Sequence, residues 1–175
     1  MFVKPESIVL ALHLSGNEKV ADLGCGSGAY SLAIAPLVSG GTVYAVDVQQ
    51  DMLSRLKSEA EKKGIKNIEY IWGDIEKRGG TKIADSVIDV AILSNTLFQI
   101  SNKNECVAEI ARILKNKGKV LIIDWTDSFS GMGPHKDAVV NKESARTLFE
   151  GKGFIFKQSV DAGEHHYGII LTYEK

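Results

Sequence analysis

The chain has 175 residues, 44% of them hydrophobic, 25% charged and 7% aromatic, and its 21 basic and 22 acidic residues leave a formal net charge of −1. That length suits one domain able to bury a substantial core, and the neutral balance offers no basic field to attract nucleic acid or an anionic membrane. The 17 glycines against 3 prolines fit a fold with many tight turns and exclude a disordered, low-complexity chain. An amphipathic helix is predicted over residues 6–14, within an N-terminal arm covering 1–16. Its apolar run is far too short to span a bilayer, and Lys4-Pro5 does not set up a signal peptide.

Short β-branched runs then alternate with segments of helical period. Lys19–Leu23 reads as a strand and 29–37 as a helix stopped by Ser39-Gly40-Gly41. Thr42–Asp47 is the next strand. Residues 50–63 form a helix with Met52, Leu53, Leu56 and Ala60 on one face, closed by Gly64. Strands are expected at 67–72 and 87–93, a helix at 103–114, a turn at Asn116-Lys117-Gly118 and a strand at 119–125. This alternation argues for a parallel sheet covered on both faces. After residue 140 the rhythm changes: a helix at 142–151 precedes two strands, Phe154–Val160 and 167–173. The connection between them is too short for a crossover helix, so the last pair is antiparallel. No repeat or linker is visible, and 1–175 reads as a single domain.

The most informative stretch runs from Asp22 through Leu23-Gly24-Cys25-Gly26-Ser27-Gly28, where the first strand ends and the first long helix begins. Glycines there let the backbone approach a ligand, and the bare N–H groups of the helix start face a polar or anionic group. Asp47 ends the second strand at a distance suited to a carboxylate that accepts from both ribose hydroxyls. Asp74 follows the third strand. Gly24, Gly26 and Ala29 also satisfy the relaxed dinucleotide pattern, which keeps a nicotinamide-dependent reductase in view. Asp22 weighs against it. A carboxylate there would repel a pyrophosphate and attract an ammonium or sulfonium group. Taken singly, each acid is equally a turn or cap residue; as a set they converge on one topological switch point.

These residues, with Gly73-Asp74-Ile75, the run from Asp89 to Leu97, Ala111-Arg112-Ile113-Leu114-Lys115, Gly118 and the terminal hairpin, resemble a class I S-adenosylmethionine-dependent methyltransferase. The likeness is to the small-molecule type that includes the ubiquinone/menaquinone methyltransferases. It implies an α/β, Rossmann-like three-layer sandwich with a seven-stranded sheet of order 3-2-1-4-5-7-6, strand 7 antiparallel. S-adenosylmethionine is the implied cofactor, S-adenosylhomocysteine the product, and a small molecule the acceptor. At matching positions, Gly24, Gly26 and Gly28 would line the methionine portion, Asp22 would help hold its amino group, and Tyr30 would contact its carboxylate. Asp47 would bind the ribose and Asp74 the adenine amino group, with the Ile75 N–H on a ring nitrogen and Val48 and Met52 packed on the base. The Ser94–Asn95 backbone would close the site.

Acceptor contacts are expected after strands four and five and at the hairpin. Those segments offer Thr96, Phe98 and Gln99, then Asp124, Trp125 and Asp127, then His165, His166 and Tyr167. Many relatives carry a histidine where Phe98 or Gln99 stands, so no base is assigned at that position, and the catalytic residue is left open. Adjacent strand residues face opposite ways, so at most one of His165 and His166 faces the site; both also read as ordinary hairpin polar residues. Trp125 reads as acceptor-facing packing or a cation cage. Cys25 and Cys106 read as core fillers, too few for a disulfide framework. No Cys/His cluster has zinc spacing, and a reduced, cytoplasmic protein is expected. His13 reads as surface or satisfied core, and Lys62-Lys63 as a solvated helix end. The N-terminal arm makes a minimal cap. Either the site is open, or residues 126–140 act as a lid, or a homodimer or other partner completes the pocket. A methyltransferase-fold protein that binds without turnover is the remaining alternative.

Overall fold

The computed structural model describes residues 3–129 and 131–175; Met1 and Phe2 of the expected arm and Ser130 of the expected lid lie outside the described residues. Seven strands form one sheet: β1 (Lys19–Leu23), β2 (Thr42–Asp47), β3 (Ile68–Trp72), β4 (Ile88–Ser94), β5 (Leu114–Trp125), β6 (Phe154–Val160) and β7 (His166–Tyr173). Their order is β3-β2-β1-β4-β5-β7-β6, as expected. β1 pairs in parallel with β2 and β4, and β7 runs antiparallel to both β5 and β6. Helices α1 (Pro5–Ile8), α2 (Ala29–Ile34) and α3 (Gln50–Lys62) accompany the first half, and α4 (Lys103–Ile113) and α5 (Lys142–Glu150) the second.

Each sheet face has its own apolar layer. Ile8, Leu12, Ile34, Leu53 and Leu56 pack with Val20, Ile92 and Ile170 on one side. On the other, Cys106, Val107, Ile110 and Phe149 pack with Leu93, Ile122, Ile169 and Leu171. Central parallel strands covered on both faces are largely apolar, and from Val20 to Leu23 every residue of β1 is buried, Asp22 included.

The differences from the expected elements have local causes. The N-terminal helix tightens into a 3-10 turn at Val9–Leu12 and stops at His13, which is exposed and left-handed at φ 49°. The helix predicted over 29–37 is α-helical only to Ile34. Pro36 has no N–H to continue the ladder, and Ala35–Val38 closes as a 3-10 turn. Strand five begins at Leu114, so the expected turn lies inside it as an irregularity, with Lys117 at φ 64°.

Gly28 has a packing role. It caps α2 at φ +84°, and an added Cβ would stand 2.1 Å from Leu56 Cδ1 on α3. Across the sheet, Glu109 anchors the β3–β4 connection. Its buried carboxylate accepts from the Gly79 N–H (2.8 Å), the Thr81 hydroxyl (2.6 Å) and Arg112 Nη2 (2.7 Å). Burial alone would raise its pKa, but Arg112, Thr81 and the amides outweigh that and hold it at about 2.

Gly28→Ala combines left-handed strain with a clash and is expected to cost about 2–4 kcal/mol in urea denaturation. Gly26→Ala, whose added Cβ meets nothing at φ +52°, is expected to cost only about 1–2 kcal/mol. Equal losses would show that Leu56 yields to the added methyl.

Candidate functional site

The carboxyl ends of β1, β2, β3 and β4 open into a cleft of about 430 Å³. The glycine loop is tied to the end of β2 from underneath. The Gly24 and Cys25 N–H groups both donate to the Val46 carbonyl, at 2.8 and 3.1 Å. One residue on, Gly26 N–H donates to Asp47 Oδ2 at 2.8 Å, and Gln49 N–H donates to Asp47 Oδ1 at 2.9 Å. Gly24, at φ +70°, lets the Thr96 side chain close over the loop, since a Cβ would stand 2.7 Å from it.

Asp22 and Asp47 are both buried near the ends of adjacent strands, in register two residues apart. Asp22 Oδ2 accepts from the Ser31 hydroxyl at 2.6 Å. Burial, with Asp47 adding repulsion, pushes its pKa up to about 6 against the lowering effect of Ser31. Among the described residues no lysine or arginine pairs with either carboxylate. Asp74 differs. It is ion-paired with Lys77 at 2.9 Å and accepts from the Glu76 N–H, which together hold its pKa below the usual value.

Of the expected cofactor-side residues, Asp22, Gly24, Gly26, Tyr30, Asp47, Val48, Asp74, Ile75, Ser94 and Asn95 all line this one cleft. Gly28 does not, being packed against Leu56, and Met52 stands back from the wall on α3. Gln49, Glu76 and Ile100, which no sequence motif singles out, also line it, and Ser31 binds Asp22 from the first turn of α2. The position of Ser31 behind a glycine loop was the available signal. Burial drives the Cys25 thiol far above its ordinary pKa, and Cys106 to about 12, so neither is poised as a thiolate.

The acceptor-side candidates divide by strand face. Asp124 does not reach the cleft. It is fully buried, with Oδ2 on the Leu97 N–H (2.9 Å) and Oδ1 on its neighbour's, Trp125 (2.8 Å), so it anchors the turn after β4. Tyr167 also belongs to the far core, where its hydroxyl donates to the Val140 carbonyl at 3.0 Å. Strand alternation puts Trp125 and His166 on the other face, with ring centroids 4.2 Å apart. His166 Nε2 lies 2.8 Å from Oδ1 of Asn95, whose left-handed backbone (φ 52°) turns into the cleft. Burial, and then His165, lower the His166 pKa. His165 turns away onto Asp127 (3.1 Å) and stacks on Phe129 at 3.8 Å. Gln99 lines the cleft and donates to the Asn95 carbonyl; Phe98 does not line it. Gly133 lies against the Trp125 ring.

Residues 14–160 match the methyltransferase domain family. The chain belongs to the methyltransferase domain family. A solved S-adenosylmethionine-dependent methyltransferase from Aquifex aeolicus superposes with a TM-score of 0.88 at 25% identity, over 98% of this chain and 90% of that one. Among curated proteins, the "Uncharacterized methyltransferase YcgJ" of Bacillus subtilis (strain 168) is 29% identical over 61% of this chain and 40% of its own length. The ubiquinone/menaquinone biosynthesis C-methyltransferase UbiE of Pectobacterium carotovorum is 28% identical over 63% of this chain and 43% of that protein. The match thus spans less than half of these two curated methyltransferases. Among the described residues no helix of this family member is long and apolar enough to cross a membrane.

Because folded Asp22 holds its proton up to about pH 6, its burial favours the fold below the ordinary aspartate pKa and disfavours it above. Urea midpoints of the unliganded protein are expected to fall as pH rises from about 4 to 6, and Asp22→Asn to flatten part of that slope. An unchanged slope in the variant would remove Asp22 from this account.

Proposed function

We propose that the chain transfers a methyl group from S-adenosylmethionine to a small-molecule acceptor by in-line displacement. The observation that carries this reading is the pair of buried carboxylates, Asp22 and Asp47, beneath a glycine loop, with no basic residue paired to them among the described residues. Such a field suits a ligand with a cationic end and neutral ribose hydroxyls, and opposes a pyrophosphate.

S-adenosylmethionine supplies an activated methyl and a leaving group that departs neutral. The protein's share is alignment and exclusion of water. Asp22, braced by Ser31, faces the ammonium end of the ligand, and Tyr30 its carboxylate. Asp47 has both oxygens oriented by backbone amides and accepts the ribose hydroxyls with its remaining lone pairs. Asp74 takes the adenine amino group, with the Ile75 N–H on a ring nitrogen and Val48 packed against the base. Asn95, Gln99, Trp125 and His166 form the acceptor wall, with residues 126–140 as its cover. A general base is needed only for an acceptor that must lose a proton. We assign the chain to one domain working in the cytoplasm, as a monomer or as a homodimer that completes the acceptor pocket.

Calorimetry with S-adenosylhomocysteine is expected to show micromolar binding that Asp47→Ala weakens about tenfold or more, or about 1.4 kcal/mol. NADH is expected not to bind. NADH binding without S-adenosylhomocysteine binding would make the glycine loop a dinucleotide site and end the methyl-transfer reading.

A further inference from the structure

Trp72 ends β3 beside Asp47 in the sheet register, and the Gly73 N–H closes the ladder onto the Asp47 carbonyl at 3.1 Å. Its indole is 57% exposed, so it adds little to the core. What it supplies is a donor. Nε1–H reaches across the gap between β3 and the β2–α3 connection and donates to the Val48 carbonyl at 3.0 Å. Outside the ring, Lys82 Nζ stands 5.6 Å from its centroid.

The two-residue connection at Val48 and Gln49 is therefore held from both sides. Inside, the Gln49 N–H is fixed on Asp47 Oδ1; outside, the Val48 carbonyl is fixed on Trp72. Val48 is itself 57% exposed and, with Gly73, Asp74 and Ile75, lines the end of the cleft where β2 and β3 stop. No core packing holds so exposed a side chain in place. The backbone tethers do.

We propose that Trp72 is a positioning residue for the base-binding end of the cleft: its indole N–H sets the Val48 backbone, and through it the apolar lip on which the adenine ring packs. The inference rests on the cofactor reading given above. It assigns to Trp72 a role in ligand affinity and little role in folding, because the bond it makes lies at the rim and is replaced by water when lost.

The test compares two ligands that share the adenine and ribose, S-adenosylhomocysteine and 5′-methylthioadenosine; only the first carries the ammonium and carboxylate. Trp72→Phe keeps a ring at the site and removes the donor. It is expected to weaken both ligands alike, by about fivefold, with an unchanged urea midpoint. Lys82→Ala, which leaves the donor in place, is expected to bind both within about twofold of wild type. Asp22→Asn is expected to weaken S-adenosylhomocysteine much more than 5′-methylthioadenosine, marking the opposite end of the cleft. Trp72→Phe binding both ligands like the wild type, losing only S-adenosylhomocysteine, or losing both together with stability, would overturn the assignment. So would Lys82→Ala matching Trp72→Phe, since the ring contact rather than the N–H would then matter. A wild-type protein that binds neither ligand would instead bring down the cofactor reading itself.

Discussion

The bond from the Gly26 amide to the Asp47 carboxylate joins two parts of the chain that each lack a rigid support of their own. The glycine loop has only the Cys25 side chain to pack into the core, and Asp47 is a buried acid with no basic partner among the described residues. Each satisfies the other. With Gly24 and Cys25 both donating to the Val46 carbonyl, the loop is pinned along the edge of β2, and α2 then starts at Gly28 where Leu56 leaves no room for a side chain. The cleft walls inherit their positions from this seam.

Three buried acids show how burial is resolved differently in one small fold. Glu109 is surrounded by donors and by Arg112, stays ionised to about pH 2, and serves as an anchor. Asp124 is raised to about 6 by burial although backbone amides of Leu97, Phe98 and Trp125 turn toward it, and it too is structural. Asp22 is raised as far, with the Ser31 hydroxyl and amide and a neighbouring carboxylate for company. On the function proposed above, the positive charge that Asp22 lacks comes with the ligand.

Around Asn95, the alternation of strand side chains decides which of the expected residues are available. Trp125 and His166 share a face and meet beside Asn95; Asp124 and Tyr167, one residue away in each case, are turned into the opposite core. Tyr167 still bears on that end indirectly, since its hydroxyl holds the Val140 carbonyl where residues 126–140 rejoin the body.

The strand order 3-2-1-4-5-7-6 was implied only by the resemblance to a family; periodicity, turn residues and the spacing of Asp22, Gly24, Gly26, Asp47 and Asp74 carried the element order, the parallel sheet with its closing antiparallel pair, and most of the cleft lining. Those features are set by short-range rules: strand and helix periods, glycine at left-handed positions, and acids at strand ends. What only the tertiary structure decided depends on contacts between distant segments. Gly28 meets Leu56, Asp124 turns to the Leu97 amide, Ser31 reaches back to Asp22, and the Trp72 indole finds the Val48 carbonyl 24 residues earlier. A sequence names which residues can donate or accept; which of them face each other depends on strand register and helix packing, and no local pattern encodes that pairing.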